Sequence, residues 1–494
     1  MKFSFILSLS ITLFHATVLY AEDFVVDEAM KAYKNNNFEM ATNIFLSDYG
    51  HLNNLNANDK LKAAITFSKN LKIYREIYEK SLLAQIAYLK PLIDSLNNNS
   101  SAYAALYLAE AYYLQGDFNS SETLYKNINQ QRITDESEKK HYHLLGALIS
   151  HRSKRMSEYI NHRSSFNNKN RLDQLFLNYI DIELFNKNHL TIEDLSVFIS
   201  EDRQKETNSI DQNIHYILKA YIAQNRLDLA AARIVKLNKQ QPVFAEQLSE
   251  TKVIRFYDLA LTHTLSIFYY EMSKHLLEKI ENHEKLGDIA NFYLSDLELV
   301  LANKESANKY QDRVKHLTLL PKTLTNMIDI RSAAHGYLAG DHNRAYQALE
   351  LAVDNLKKDP SLSAEAVLMC IYIRANCPTI VKSARLMAES GTSERYTELS
   401  LNVGRYFLFK NEITKAKRLI EGALLKSDNN NISGNDPILL INLAEVKRLN
   451  KKYSDSLQIY FSASKNYPIM RQIQDAVQGE YLYEQRNSGI PTVF

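Results

Sequence analysis

The residues able to do chemistry are few in this chain, and their spacing does little for them. Of 494 residues only two are cysteines, Cys370 and Cys377. In an oxidising compartment such a pair invites a disulfide. Seven residues of continuous helix, however, would hold their Cα atoms about 10.5 Å apart, beyond the ~7 Å that a bridge tolerates. Pro378 disfavours helix at Cys377, which leaves a break and a bridge open, but the favoured reading is two buried thiols on a helix. C-x6-C is also a poor metal spacing. His141-Tyr142-His143 puts its two rings on different faces of a helix, so they do not chelate together. His283-Glu284 lacks the second histidine of H-E-x-x-H. These histidines read as surface residues of a helical array. No glycine loop is shaped for phosphate and no G-x-S-x-G elbow occurs. Neither catalytic residue, cofactor nor metal is expected.

What remains is the set of elements that would have to position any site. Leu227, Ala230, Ile234, Leu237 and Pro242 share their offsets (+3, +7, +10, +15) with Tyr453, Ser456, Tyr460, Ala463 and Pro468. Shorter copies run Phe38, Ala41, Phe45; Phe118, Ser121, Tyr125, Ile128; His342, Ala345, Leu349, Ala352; and Ile413, Ala416, Ile420, Ala423. Offsets of three, four and seven share one helical face, and a small residue between two large ones lets a neighbouring helix approach closely. A matching first helix lies upstream of each, as with Ile214, Ile217, Leu218 and Tyr221. The turns are short and polar, such as Gln115-Gly116-Asp117 and Asn450-Lys451-Lys452. Nine residues before the anchor the side chain is small: Ala29, Ala109, Ala333, Gly404, Ala444. With 12 Gly and 8 Pro in the whole chain, the residues that punctuate sheets are scarce, and the spacing predicts an all-α chain of helical hairpins.

These residues resemble the tetratricopeptide repeat, a helix–turn–helix unit of ~34 residues. The best matches are 211–242 and 437–468; 22–48, 102–128, 326–360 and 397–423 match in part. The family's tryptophan is missing, and its first-helix glycine survives only as Gly404. The resemblance implies a right-handed superhelical solenoid of antiparallel helix pairs. The gaps between anchors divide into periods of about 36 to 40 residues, which gives about twelve units, some degenerate. Tyr269, Met272, Leu276 and Lys304, Ala307 are candidates for hidden ones, and 140–205 is expected to be irregular. Breaks fall at 129–137, 201–209 and 427–437. The expected organisation is a signal peptide at 1–21, a helical region at 22–205 with an irregular end, a solenoid at 206–483 and a flexible tail at 484–494.

Because each unit needs to pack only on its neighbours, a chain this long requires no single core. In the family, outward positions of the first helices line a concave groove and meet the ligand. By register those positions are Tyr103, Glu110 and Tyr113; His215 and Lys219; Arg331 and Tyr337; Glu398, Asn402 and Arg405; and Glu445 and Arg448. The family's carboxylate clamp, a Lys and an Asn four apart on one first helix, is absent from the well-registered units. Met387-Ala388-Glu389-Ser390-Gly391 resembles the start of the lytic transglycosylase motif, but the Gly-Leu-Met-Gln that completes it is missing. A helix end followed by Gly391 accounts for the same residues.

Lys2, the apolar run from Phe3 to Phe14 and the Leu19-Tyr20-Ala21 segment read as a secretory signal cleaved after Ala21; the alternative is an uncleaved anchor. Leu19 is larger than the preferred residue at that point, while His15 counts against an anchor. No cysteine near the signal offers a lipid anchor, and no later segment is long and apolar enough to cross a membrane. The expected location is periplasmic or secreted. With 59 Lys and Arg against 57 Asp and Glu the formal charge is +2, so no basic stripe marks a nucleic-acid partner. The sequence therefore predicts a non-catalytic exported scaffold binding other proteins or peptides of the cell envelope, for instance in polysaccharide export, pilus or secretion assembly. The alternative is a peptidoglycan-processing enzyme or its regulator, built on a helical superhelix.

Overall fold

The short polar turns do what their composition suggests. In the computed structural model, seven described residues have positive φ, and each lies two residues before the start of a second helix: Asn36, Gly116, Lys154, Asn225, Gly340, Asn411 and Lys451. The residue after each one donates its N–H to the carbonyl five positions back. Asn37→Ala32 (3.0 Å), Asp117→Tyr112 (2.9 Å), Glu412→Phe407 (2.8 Å) and Lys452→Lys447 (2.9 Å) are examples. This is the Schellman ending, in which a left-handed residue lets the last carbonyls of one helix find donors while the chain reverses. The donor just used also begins the next helix. Asn37 and Asp117 accept from the backbone N–H of Met40 and Ser120, each at 3.1 Å, and Pro437 opens its helix behind the capping carboxylate of Asp436.

The structure describes residues 25–95, 99–165, 225–239, 256–301, 303–314, 359–372, 375–427, 436–465 and 470–487, with single residues at 218–222, 327–349 and 467. The described residues are helical, with turns between, and contain no strand. In chain order the helices are α1 (25–34), α2 (Phe38–Ser47), α3 (Ala57–Ser95), α4 (Asn99–Gln115), α5 (Phe118–Lys126), α6 (Glu136–Arg152), α7 (Met156–Ser164), α8 (Leu227–Lys239) and α9 (Phe256–Glu278). They continue as α10 (Gly287–Val300), α11 (Lys304–Gln311), α12 (Pro360–Tyr372), α13 (Pro378–Ser390), α14 (Thr397–Phe409), α15 (Ile413–Lys426), α16 (Pro437–Leu449), α17 (Tyr453–Ala463) and α18 (Arg471–Asn487). Successive helices pair: α4 with α5, α6 with α7, α10 with α11, α14 with α15 and α16 with α17. This is a tetratricopeptide-like, all-α fold.

The small positions lie where helices cross most tightly. A Cβ on Gly404 would stand 2.5 Å from Ile420 Cγ1, so only glycine admits the second helix there. In the next hairpin Ser456 donates its hydroxyl to the carbonyl of Ala444 at 2.8 Å, with Ala444 fully buried. The anchors Phe38, Leu227 and Tyr453 and their +3 and +7 partners are all in the core.

Contacts gather the chain into two compact units, Met1–Ile73 with Tyr269–Pro468, and Tyr74–Phe268 with Ile469–Phe494. Helices α3 and α9 each contribute residues to both.

Several expectations need correction. The interval between anchors 38 and 118 holds one helix of 39 residues, α3, rather than two hairpins. Its Asn70, a residue type that takes the left-handed turn elsewhere in the chain, is instead buried and donates to Phe38 O and Thr42 Oγ1. Tyr269, Met272 and Leu276 are buried but begin no hairpin arm, because α9 runs straight through them. Residues 136–164, expected to be irregular, form the regular hairpin α6–α7 with Lys154 left-handed at its turn. The cysteines are not free thiols: Cys370 and Cys377 form a disulfide with their Cα atoms 6.3 Å apart. Helix α12 ends at Tyr372, so the continuous helix that would have separated them does not exist.

Lys304 does begin a second helix, capped by Asn303. Helix α18 continues to Asn487, so part of the expected tail at 484–494 is helical. The signal segment 1–21, the boundary at 205/206 and residues 488–494 lie outside the described residues.

Candidate functional site

Built from its backbone upward, the candidate site is the row of outward positions on the first helices. In the unit containing residues 74–268, α4 carries such a row, and α6 supplies its partners at a constant offset of 31 residues. Thr134 N donates to the Tyr103 hydroxyl at 3.1 Å, the Tyr107 hydroxyl donates to Glu138 Oε1 at 2.7 Å, and His141 Nε2 bonds Glu110 Oε1 at 2.6 Å. One first helix is thus riveted to the next. Glu110 is fully buried and His141 nearly so. Burial pushes the Glu110 carboxyl up, with the neighbouring His141 opposing it. Burial also works against charge on the His141 ring, but the Glu110 charge and hydrogen bond prevail and raise it.

His141 is therefore an interior ion-pairing residue, a correction to its reading as a surface histidine. His143 and His162 face each other at 3.2 Å, both lowered by burial. Tyr113 is half-buried, its ring edge-on to Phe118 at 5.3 Å. Lys219 is half-buried and acts on the ring of His263. His215 and Tyr337 lie outside the described residues.

In the unit containing residues 269–468 the same row meets a helix of its own chain. Ala63, Ala64, Phe67 and Leu71 of α3 are fully buried; Phe67 stacks on Tyr269, and Ser273 donates to the carbonyl of Ala64 at 2.8 Å. One turn of α3 then sends out two ammonium groups. Lys72 Nζ reaches Asp296 Oδ2 on α10 at 2.7 Å, and Lys69 Nζ reaches Asp436 Oδ2 at the start of α16, also at 2.7 Å. Arg331 continues the ladder, with Nη1 3.1 Å from Asp296 Oδ1, Nε bonded to Glu365 on α12, and its guanidinium 4.3 Å over the ring of Phe292. Lys69 and Lys72 also act on Glu398 of α14. Asp296 of α10, Glu398 of α14 and Asp436 at the cap of α16 thus converge on one turn of α3, and Arg331 links Asp296 onward to Glu365 of α12. At Lys69 burial disfavours the charged form, yet the charge and hydrogen bond of Asp436 raise it overall.

Of the predicted groove residues in this unit, Arg331, Asn402, Glu445 and Arg448 are buried. Asn402 donates to the carbonyl of Ala364 at 3.2 Å, tying α14 to α12, and Glu445 pairs with Arg448 one turn on at 2.8 Å. Arg405 is half-exposed and Glu398 exposed. Lys69, Lys72, Asp296, Glu365 and Asp436 escaped the reading from register. The signal for the two lysines is their i, i+3 spacing, which puts two cations on one face of α3 where they need carboxylates elsewhere.

Glu389 lies at the C-terminal end of α13, with Oε1 3.9 Å from Nε of both Arg385 and Arg418. That is a surface ion cluster. Among the described residues no group of three or more His, Cys, Asp or Glu side chains could hold a metal, and no helix is long and apolar enough to cross a membrane.

No family model matches the chain, and no curated protein does. Among solved structures it is similar to the crystal structure of yeast Tom70 at a TM-score of 0.33 and 12% identity, over 94% of this chain and 96% of that one. For the APC/C hetero-tetramer Cut9-Hcn1 the figures are 0.29, 13%, 93% and 96%. For Naa15/Naa10 bound to HypK-THB they are 0.24, 11%, 94% and 79%. At such scores neither site nor function transfers, and the fold rests on the chain's own hairpins.

Proposed function

We propose that the chain is an exported, non-catalytic scaffold that holds proteins or peptides of the cell envelope against its helical hairpins. The observation that carries this reading is the run of paired helices closed by seven left-handed turns, an architecture whose product is surface. Export is supported by two features. One is the apolar run from Phe3 to Phe14 after Lys2, followed by a more polar stretch ending at Ala21. The other is the Cys370–Cys377 disulfide, which suits an oxidising compartment.

Crosslinking in intact cells tests the scaffold. The expected result is a defined set of envelope proteins captured by the wild-type chain and depleted in the Glu398→Arg/Arg405→Glu variant, both positions being solvent-accessible. Release of muropeptides from peptidoglycan, abolished by Glu389→Gln, would overturn the reading in favour of a glycan enzyme. Export is read separately: a chain starting at Glu22 in the extracytoplasmic fraction supports it, and a full-length chain in the cytoplasm with reduced cysteines refutes it.

A further inference from the structure

Charge is sorted between the two arms of the C-terminal hairpins. The second-helix segments 378–390, 410–427 and 451–465 hold ten Lys or Arg against four Asp or Glu, a net of +6 in a chain whose total is +2. The intervening first helices carry no such excess. Three of the four acids are already engaged by cations of these hairpins: Glu389 by Arg385 and Arg418, Glu412 by Lys415, and Glu421 by Lys447. Helix α13 contacts α15, and α15 and α17 both pack on α16.

The same helices expose large apolar side chains: Leu386 is 55% exposed, Leu425 77% and Phe461 53%. Single apolar residues on a surface are ordinary. Here the two leucines stand on stripes that carry cations. Lys382 and Leu386 are four apart on α13 and Arg418 and Leu425 seven apart on α15, so each pair shares a face, and Lys465 follows two residues after the end of α17.

From this pattern we propose that α13, α15 and α17 form a peripheral docking face for an anionic lipid surface. The alternative occupant of a basic, partly apolar face is an acidic protein. Protein interfaces gather apolar groups at a core from which lysine is depleted. On α13 and α15 the exposed leucine shares its helix face with a Lys or Arg. That is how a membrane-surface helix is built, with cations at the headgroups and isolated apolar side chains entering the acyl boundary. The attraction acts within a Debye length and so fades with salt.

Vesicle flotation of the full chain tests this, comparing phosphatidylcholine vesicles with vesicles containing phosphatidylglycerol. Any partitioning through residues 3–20 is common to both, so the readout is the excess on the anionic vesicles. An excess of about tenfold is expected at low salt, most of it lost at high salt. Lys382→Glu/Lys415→Glu/Arg418→Glu should abolish it. Leu425→Ser/Phe461→Ser, which touches no charge and no buried residue, should lower it several-fold; circular dichroism checks that both variants fold. Equal partitioning on the two vesicles, or an excess that survives the charge reversal, overturns the proposal. Binding to soluble poly-glutamate with no excess on anionic vesicles also overturns it, assigning the face to an acidic polymer or protein.

Discussion

His263 shows what burial does to a single side chain in this fold. Its ring packs 5.2 Å from that of Tyr78, and burial, helped by the charges of Arg75 and Lys219, lowers its pKa to about 4. The unfolded ring titrates near ~6.5, so between those values the unfolded chain binds the extra proton. The stability this neutral ring contributes is complete above pH ~6.5 and is lost as the pH falls toward 4, to the extent of roughly 3 kcal/mol. His143, His162 and His275, lowered by the same cause, act in the same direction, while the raised His141 acts in the opposite one. Thermal melts should therefore show the melting temperature dropping from pH 7 to pH 5. His263→Phe should flatten that slope; an unchanged slope would mean the ring is not the titrating group. Gly404 tests packing at the same scale. Its absent Cβ is what lets Ile420 in, so Gly404→Ala should cost about 1–3 kcal/mol in denaturant unfolding. The sequence showed the glycine as a family position, but nothing in it distinguished His263 from a surface histidine.

The elements were legible wherever their punctuation was. Helix α13 starts at Pro378, where the favoured reading of the sequence had one helix running through Cys370 and Cys377. That turn is built differently from the other seven. Asn376, two residues before the helix, is not left-handed. Instead the disulfide closes the turn, while Tyr406 of α14 accepts from Cys377 N and donates to Asn376 Oδ1, each at 3.2 Å. A covalent link thus takes the place of a backbone conformation. Closing so short a loop is worth about 2–3 kcal/mol, and Cys370→Ala/Cys377→Ala should lose that amount in denaturant melts, with no further loss on adding reductant. The ordinary turns make the converse prediction. Lys451 holds φ 59° at a backbone cost that glycine avoids, so Lys451→Gly should be neutral or stabilising by up to about 1 kcal/mol. Gly116, at φ 89° with open space around its missing Cβ, should lose about 1 kcal/mol as Ala, through backbone strain alone.

Register fixes which way a position points on its own helix, but it says nothing about what the rest of the chain brings there. This is why the groove residues divided as they did. From local periodicity Arg331 and Arg405 are equivalent, outward on first helices. In the folded unit Arg331 is enclosed by Asp296, Glu365 and the ring of Phe292, and Lys72 of α3 arrives from more than 200 residues upstream to share Asp296. A contact of that sequence separation leaves no trace in a 34-residue pattern. The difference can be measured. Removing one member of a buried ion cluster leaves its partners charged and dry, a cost of about 3–5 kcal/mol, so Arg331→Ala and Lys72→Glu should both destabilise the chain by that order. Arg405 is half-exposed and donates a long hydrogen bond of 3.4 Å to Asn402, and Arg405→Ala should cost well under half as much as Arg331→Ala. If Arg331→Ala proved as stable as Arg405→Ala, the Asp296–Arg331–Glu365 cluster would be wrong and the groove would be open there. If the costs separate as expected, a partner-binding defect at Arg331, Asn402, Glu445 or Arg448 reports on folding, and among the described groove residues Glu398, Arg405, Tyr103, Tyr113 and Lys219 are the accessible ones that can report on a ligand.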